Sequence, residues 1–246
     1  MHTYPNRMNN ALVIIPTYNE IENIARMLDT VMGLEKSFDV LIVDDGSPDG
    51  TAAVVREKMQ EYSGRIHLEE RTGKLGLGTA YIHGFKWALA RHYDFVFEMD
   101  CDFSHNPKDL IRLLTACEEG ADLAIGSRYV KGVNVVNWPM SRVLLSYFAS
   151  VYVRMVTRMP IQDATAGFKC YKRSLLEAIN FDRIQFVGYA FQIEMKFKSW
   201  LKGFNIVEVP VIFTDRTAGD SKMSSGIFTE AIFGVIKLKV YSWFRK

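Results

Sequence analysis

Two pairs of aspartates in this sequence follow directly on apolar runs. Asp44 and Asp45 come after residues 38–43, and Asp100 and Asp102 come after residues 95–99. If these runs are parallel strands, their carboxyl ends meet at one edge of a sheet, where four carboxylates repel one another unless a cation or hydrogen-bond donors compensate them. Mg²⁺ and Mn²⁺ prefer carboxylate, water and phosphate oxygens as ligands. The pattern therefore predicts a divalent-metal site at this edge.

The spacing of Asp100-Cys101-Asp102 fits such a site. In an extended segment, residues i and i+2 point to the same side, so both aspartates would face one ion. That ion would bridge a diphosphate and neutralise the charge that builds on a nucleoside-diphosphate leaving group, which is a Lewis-acid role. Taken alone, the pattern also fits a solvated turn. Its position beside Asp44 and Asp45 favours the metal site.

A glycine-rich segment and several cations extend this predicted site. Residues 72–78 read Thr-Gly-Lys-Leu-Gly-Leu-Gly, so the backbone can approach a phosphate while Lys74 adds positive charge. A glycine-rich turn without a ligand is an equal alternative, and the segment matches neither the dinucleotide fingerprint nor the P-loop. Arg128 follows another apolar run, and its planar guanidinium makes it a candidate phosphate ligand. Further cations in or beside predicted loops are Arg142, Arg216 and Lys222.

The elements that must position these residues alternate between strand and helix. Five short apolar runs have the composition of buried strands: residues 11–16, 38–43, 66–70, 95–99 and 123–125. Helical patterns separate them at residues 21–31, 48–62, 75–92 and 107–118. This order predicts an α/β fold with a mostly parallel central sheet and helices on both faces, and it places ligands at the carboxyl ends of the strands. The second half predicts helices at 142–159 and 187–202, a strand at 207–213 and a final amphipathic stretch at 227–244.

Composition narrows the class of protein. The chain of 246 residues is 48% hydrophobic and 24% charged, which excludes wholesale disorder and fits one domain over residues 1–246, with a polar extension at 1–10 and an amphipathic C-terminal helix at 226–246. Its 30 basic and 28 acidic residues are too balanced for a nucleic-acid-binding protein. Three cysteines without paired spacing, and an N-terminus without an apolar core, predict a cytoplasmic protein. The absence of about 18 uninterrupted apolar residues predicts that no helix spans a membrane.

Six motifs together resemble a known family. They are Pro16-Thr17-Tyr18-Asn19-Glu20, Asp44-Asp45-Gly46-Ser47-Pro48-Asp49-Gly50, Lys74-Leu75-Gly76-Leu77-Gly78, Asp100-Cys101-Asp102-Phe103-Ser104-His105, Gly126-Ser127-Arg128-Tyr129 and Asp163-Ala164-Thr165-Ala166-Gly167-Phe168. In this order they resemble the inverting glycosyltransferases of family 2, which have the GT-A (Rossmann-like) fold. Within that family they are most similar to the polyprenyl-phosphate (dolichol-phosphate) mannose synthases.

The resemblance implies a role for particular residues. It implies that Pro16, Tyr18, Glu20, Val43 and Asp45 bind the nucleoside, with Asp44 close by and with Cys101 meeting the ligand through its backbone. Asp100 and Asp102 would hold Mg²⁺ or Mn²⁺, with Ser104 as a third ligand. Four cations would hold the sugar diphosphate and the lipid phosphate, with Ser146 on the acceptor side: Arg128, Arg142, Arg216 and Lys222. Residues 216–222 would form a loop that closes over both substrates.

The implied reaction moves a hexose, mannose from GDP-mannose by the resemblance, onto a polyprenyl or dolichyl phosphate. A lipid phosphate is mostly a dianion at neutral pH and needs little deprotonation, so we expect a site that positions anionic reactants, with Asp100, Asp102, Arg128 and Asp163 as its catalytic set. Asp163 would orient an arginine or the sugar, and His105 would support the site from outside it. Direct attack would invert the anomeric centre.

Several alternatives stay open at this stage. The donor could be UDP-glucose or another sugar nucleotide, the acceptor could be a protein or polysaccharide, or the chain could be a nucleotide-binding module without activity. Residues 142–159 and 227–244 could lie at the cytoplasmic face of a membrane, where the lipid substrate is met, with Trp243, Arg245 and Lys246 suited to headgroups. Alternatively these helices cover the sheet, form a homodimer contact or bind a membrane-anchoring partner.

Overall fold

Seven strands form the central sheet. The computed structural model describes residues 10–188, 190–215 and 226–243, with backbone only for 226–232 and 243. The strands of the sheet are β1 (Ala11–Thr17), β2 (Asp39–Asp44), β3 (Ile66–Glu70), β4 (Phe95–Glu98), β5 (Leu123–Ser127), β7 (Lys169–Lys172) and β8 (Ile206–Pro210). Their order is β3-β2-β1-β4-β7-β5-β8, and β6 (Val135–Val136) pairs separately with β9 (Phe213–Thr214). The predicted mostly parallel sheet is confirmed.

The helices lie on both faces of this sheet, as predicted. They are α1 (Ile24–Met32), α2 (Thr51–Glu61), α3 (Leu77–Ala90), α4 (Asp109–Glu118), α5 (Met140–Thr157), α6 (Arg173–Ala178), α7 (Ala190–Leu201) and α8 (Gly226–Trp243), with a 3₁₀ turn at Phe181–Arg183. In β1, Leu12 and Ile14 pack with residues of α3, α6 and α7, whereas Val13 and Ile15 pack with residues of α1, α2 and α4. Because the pleat sends alternate side chains to opposite faces, a continuous apolar run fills two core layers.

One strand of the sheet runs against the others. β7 pairs antiparallel with β4 and with β5, while β1, β2, β3 and β4 are parallel neighbours and β5 is parallel to β8. The sequence patterns did not predict β7. Because β7 is antiparallel, its amino end lies at the carboxyl edge of the parallel strands, which brings residues 163–168 to the predicted site edge.

Two expectations about strand boundaries were wrong. β4 ends at Glu98, and Asp100-Cys101-Asp102 lies in a bend instead of an extended strand. The predicted strand at 207–213 divides into β8 and β9, because Val211 and Ile212 leave the sheet and the chain crosses to pair with β6. Within the described ranges, no helix combines the length and apolar character needed to span a bilayer.

Candidate active site

Asp44 organises the loop that follows β2. Its Oδ1 accepts hydrogen bonds from the hydroxyls of Thr17 (2.8 Å) and Ser47 (2.6 Å), and its Oδ2 accepts one from the Ser47 backbone N–H (2.8 Å). The side chain is 1% exposed. Asp44 thus joins the ends of β1 and β2 and shapes the turn that presents Asp45.

Asp45 has a cationic partner that the sequence analysis overlooked. The Arg71 Nε donates to the Asp45 Oδ1 at 2.6 Å, and the Arg71 Nη1 donates to the Thr79 hydroxyl at 2.8 Å. Arg71 is the first residue after β3, so the rule that ligands gather after strand ends already pointed to it. The expected repulsion among the four carboxylates is therefore relieved at Asp45 by an arginine of the chain itself.

The remaining residues of the predicted nucleoside set lie around the ends of β1 and β2. Pro16 aligns with Val43 across the two strands, and the Lys74 Nζ lies 5.2 Å from the centre of the half-buried Tyr18 ring. The Glu20 backbone N–H donates to the Thr51 hydroxyl at 3.0 Å. Val43 is wholly buried in the core, so its side chain offers no surface to a ligand.

The glycines of residues 72–78 do not all serve the same purpose. Gly76 has a φ of +99°, and a Cβ there would lie 3.0 Å from the Val187 carbonyl oxygen; at Gly78 a Cβ would lie 2.8 Å from the Phe191 ring. Gly73 has nothing within 4 Å of a built Cβ. Packing against Val187 and Phe191 therefore accounts for Gly76 and Gly78, and Gly73 is the one whose surroundings leave space for a phosphate.

Hydrogen bonds within the bend hold the Asp100 backbone and the Asp102 side chain in place. The Asp100 backbone N–H donates to the His105 Nδ1 at 3.1 Å, and the Asp102 Oδ1 accepts from the Ser104 backbone N–H at 3.0 Å. His105 is buried and stacks on Phe168 with ring centres 4.9 Å apart, so it supports this turn from the core side. Phe103 has a φ of +59°, a conformation that bulky side chains rarely adopt and that is enriched at functional sites.

The chemistry of this bend fits a hard divalent cation. The Asp100 side chain is 42% exposed, while Cys101 between the aspartates is buried in the core, so the two carboxylates flank an inward-facing residue. Burial, and then the charge of Asp100, raises the pKa of the Tyr81 phenol well above 10.0, so its hydroxyl stays a donor toward Asp100 at 3.4 Å. No group of three His, Cys, Asp or Glu side chains suited to a metal occurs in the described part of the chain. Proteins usually bind Mg²⁺ through one or two carboxylates, and substrate phosphates and water complete its coordination.

Arg128 and Asp163 form a buried pair at the same edge. The Arg128 Nε and Nη2 donate to the two carboxylate oxygens of Asp163, each at 2.7 Å, and the Arg128 backbone N–H donates to Oδ2 at 2.9 Å. Burial alone would raise the pKa of Asp163, but the charge and hydrogen bonds of Arg128 outweigh it and hold the pKa below 3.8. Asp163 is therefore an ionised group that fixes the direction of the arginine.

A buried lysine from α7 holds the segment that carries Asp163. The Lys196 Nζ donates to the carbonyl oxygens of Ala164 (3.0 Å) and Ala166 (2.6 Å), and Lys196 is 0% exposed. Burial, and then the nearby Lys169, lowers its pKa well below 10.5. Sequence periodicity gave no sign of this role, because a lysine at this point of an amphipathic helix ordinarily faces solvent.

Arg142 and Ser146 lie one turn apart on α5. The Arg142 Nη1 donates to the Asp215 Oδ1 at 2.8 Å, and its guanidinium lies 4.0 Å from the centre of the Trp138 ring. The Ser146 hydroxyl oxygen is buried and has no hydrogen-bond partner among the described residues. A buried oxygen of this kind is free to receive a polar group of a ligand.

Phe213 joins the aspartate bend to the arginines. Its ring centre lies 5.4 Å from His105, 5.5 Å from the Arg128 guanidinium and 5.1 Å from Trp138. The Thr214 backbone N–H donates to the Ser104 carbonyl at 3.4 Å. Phe213 and Thr214 therefore connect the bend that carries Asp100 and Asp102 with the buried Arg128 and with Trp138 before α5. Arg216 and Lys222 lie outside the described residues, as do Arg245 and Lys246.

Solved structures with the same architecture define the class of fold. The mannosyltransferase PcManGT from Pyrobaculum calidifontis, in complex with GDP-Man and Mn²⁺, superposes with a TM-score of 0.61 at 19% identity, covering 98% of this chain and 66% of that one. Glucosyl-3-phosphoglycerate synthase from Mycobacterium tuberculosis, in complex with Mn²⁺, UDP and phosphoglyceric acid, gives 0.68 at 16% identity, covering 93% and 78%. At these identities the likeness shows the fold alone, which is the GT-A type.

The sequence comparisons identify the family. The chain matches the profile described as Glycosyl transferase family 2 over residues 12–179, and it belongs to that family. Polyprenol monophosphomannose synthase of Mycolicibacterium smegmatis is 48% identical, with 91% of this chain and 84% of the relative covered. Undecaprenyl-phosphate mannosyltransferase of Micrococcus luteus is 46% identical, with 92% of each covered.

Proposed function

We propose that this protein transfers mannose from GDP-mannose to a polyprenyl monophosphate with inversion at the anomeric carbon. The observation that carries the proposal is the relationship, over nine tenths of the chain, to two proteins whose names specify mannosyl transfer to a polyprenol or undecaprenyl phosphate. The arginines of the site, two of them beside one aromatic ring, suit a reaction in which both substrates are phosphates.

The acceptor phosphate supplies its own nucleophile. An ionised phosphate oxygen attacks the anomeric carbon, the bond from that carbon to the diphosphate oxygen breaks, and the diphosphate leaves with the electron pair. Asp163 is not the base in this scheme, because its oxygens are engaged by Arg128 and its pKa is low. A single displacement of this kind turns an α-linked donor into a β-linked product. The site contributes by holding two anions in line.

Asp100 and Asp102, with Ser104, are the residues that we propose to hold Mg²⁺ or Mn²⁺. Bound there, the cation would offset the negative charge of the departing diphosphate. The turn that presents the two aspartates is preformed by the Ser104 and His105 contacts. Tyr81 adds a hydroxyl that points at Asp100.

We assign the other residues to the two substrates by position. Pro16, Tyr18, Glu20, Asp45 and Lys74 surround the nucleotide, with Arg71 holding Asp45. Arg128, oriented by Asp163, faces the diphosphate, and Arg142 and Ser146 receive the acceptor phosphate. Arg216 and Lys222 complete the cationic set in the proposal.

We further propose that the protein works at the cytoplasmic face of a membrane without crossing it. On α5, three side chains that recur on one side of the helix are strongly exposed: Met140 (69%), Phe148 (60%) and Met155 (75%). On α8, the exposed side chains are also largely apolar, with Phe233 at 68%. Exposed apolar side chains beside cations suit insertion into an anionic lipid surface, and Met155 lines one groove together with Arg158 and Lys239.

A transfer assay tests donor and acceptor together. Purified protein with Mn²⁺ is incubated with radiolabelled GDP-mannose, UDP-glucose or UDP-galactose, in the presence of a polyprenyl phosphate, and organic-soluble label is counted. We expect label in the organic phase with GDP-mannose, sensitive to mild acid and dependent on the lipid phosphate. Label that stays water-soluble would refute the lipid acceptor, and label from a UDP sugar alone would refute the donor.

A further inference from the structure

One tryptophan contacts both arginines of the site. The Arg142 guanidinium carbon lies 4.0 Å from the centre of the Trp138 ring, and that of Arg128 lies 5.6 Å from it. Both distances are within the range of a cation–π contact. Arg128 comes from the end of β5 and Arg142 from the first turn of α5, so the indole joins two elements that are otherwise separate.

Each arginine is held on another side by a carboxylate. Asp163 binds Arg128 through two hydrogen bonds, and Asp215 binds Arg142 through one at 2.8 Å. These carboxylates fix each arginine to its own neighbourhood but do not set the spacing between the two. Trp138 is a side chain that touches both.

The position of the indole is itself constrained. Pro139 follows Trp138 and directly precedes α5, where its carbonyl accepts the Arg142 backbone N–H at 3.0 Å, and Asn137 before it has a φ of +63°. The Phe213 ring meets the indole edge to face, with centres 5.1 Å apart at 72°. A fixed backbone and an aromatic neighbour thus leave the ring little freedom.

The electrostatics explain why an aromatic ring suits this position. Asp163 and Asp215 each offset part of the charge of one guanidinium, but the two cations still repel each other before phosphates bind. The negative face of an indole stabilises cations without neutralising them, so the arginines keep their attraction for phosphates. A carboxylate in its place would compete with those phosphates.

We propose that Trp138 is a positioning residue that sets the separation of Arg128 and Arg142 and thereby couples the donor diphosphate to the acceptor phosphate. This inference rests on the proposed function, because it takes Arg128 as a donor-side group and Arg142 as an acceptor-side group. It adds a residue that the family resemblance and the sequence patterns did not single out.

The test compares two tryptophans that each carry a stacked arginine. Arg91 lies 3.8 Å from the centre of the Trp87 ring, near the end of α3 that leads to the amino edge of the sheet and away from the site, so Trp87→Leu is the matched control for Trp138→Leu. We expect Trp138→Leu to raise the acceptor KM at least tenfold and to lower kcat, with Trp138→Phe in between. Trp87→Leu should lower Tm but leave both kinetic constants within about twofold. Equal kinetic losses in the two Leu variants, or unchanged constants in Trp138→Leu, would overturn the proposal.

A double-mutant cycle separates positioning from general damage. If Trp138 acts through Arg142, Trp138→Leu should cost much less in an Arg142→Ala background than in the wild type. Fully additive losses would overturn the proposal.

Failure of the wild type to transfer sugar to the lipid would instead refute the proposed function, and a fluorescence experiment would then test the role of Trp138 separately. Adding a short polyprenyl phosphate should change the emission of the wild type but not that of Trp138→Phe, and identical responses would count against the inference.

Discussion

At the scale of single residues, replacing Asp102 by asparagine removes a negative charge and keeps the shape of the side chain. Its Oδ1 accepts the Ser104 backbone N–H at 3.0 Å, and an asparagine oxygen can accept the same bond. We expect Asp102→Asn to lower kcat by about 10²- to 10³-fold, the usual loss when one electrostatic contribution to a transition state is removed, with Tm unchanged. Steady-state transfer kinetics and thermal melting measure the two effects.

Asp122 provides the control for this substitution. Its Oδ2 also accepts one backbone N–H, that of Asn205 at 2.9 Å, but it precedes β5 at the opposite edge of the sheet. Asp122→Asn should leave kcat near the wild-type value. Comparable losses in the two variants would mean that Asp102 matters for the fold and not for the reaction.

The Arg128–Asp163 pair predicts a definite pH dependence of stability. Because the pKa of Asp163 is lower in the folded protein than its ordinary 3.8, the unfolded chain takes up the proton first as the pH falls. The stabilisation is thus complete above about pH 4 and is lost as the pH drops through the folded-state pKa. Asp163→Asn leaves a buried guanidinium without its counter-charge, which costs about 3–5 kcal/mol at neutral pH.

Urea unfolding over a pH series measures this effect. The difference in the free energy of unfolding between the wild type and Asp163→Asn should stay constant from pH 8 to about pH 5 and shrink below about pH 4. A difference that instead falls as the pH rises from 5 to 8 would show that Asp163 holds a proton in the native state. That result would also reopen its candidacy as a general base.

At the scale of elements, α3 owes its position to glycines that admit neighbouring side chains. A Cβ on Gly78 would approach Phe191 of α7 to 2.8 Å, and one on Gly84 would approach Ile14 of β1 to 2.7 Å. These contacts let the helix lie close to the sheet and to α7. Glycines in and around the start of this helix are therefore required in part for packing.

Two alanine substitutions separate packing from ligand binding in this segment. Gly78→Ala should lower the free energy of unfolding by about 1–3 kcal/mol, because the added methyl overpacks the contact with Phe191. Gly73→Ala has open space around it and should change stability by less than about 0.5 kcal/mol, while raising the donor KM if a phosphate approaches this backbone. Denaturant unfolding and donor titration measure both. Equal stability losses would refute the distinction.

At the scale of the whole molecule, α5 and α8 together form a surface that is not required to cover the sheet. A groove of about 400 Å³ lies between them, lined by Met155, Val156, Arg158, Ile236, Lys239 and Val240. Strongly exposed apolar side chains occur on both helices, among them Phe148 and Met155 on α5 and Phe233 on α8. A protein whose acceptor carries a lipid chain would use such a surface to meet it.

Liposome binding tests this surface directly. Phe148→Ser should lower the fraction of protein that sediments with vesicles containing anionic lipid several-fold. The reason is that it removes an apolar side chain that is 60% exposed. Leu201→Ser is the control, since Leu201 is 51% exposed but ends α7, next to the start of β8 at the amino edge of the sheet. Equal binding by the wild type and Phe148→Ser would argue against the proposed membrane face.

The sequence by itself determined the alternation of elements and most of the site edge. Apolar runs such as β1 and β2 are recognisable because a strand buried on both faces needs uninterrupted hydrophobic residues. Asp44, Asp45, Asp100, Asp102 and Arg128 could be predicted as site residues because the ends of parallel strands share one edge, a rule that depends only on chain order. The family followed from the same motifs.

Only the tertiary structure decided which of these residues are partners. The pairing of Arg128 with Asp163 depends on β7 inserting antiparallel between β4 and β5, a choice made by long-range strand pairing and not by local sequence. The contacts of Arg71 with Asp45, of Lys196 with the loop before β7, and of Trp138 with two arginines have the same origin. A polar or aromatic residue in a loop, such as Arg71 or Trp138, has no periodicity that reveals its partner, because long-range packing determines that partner.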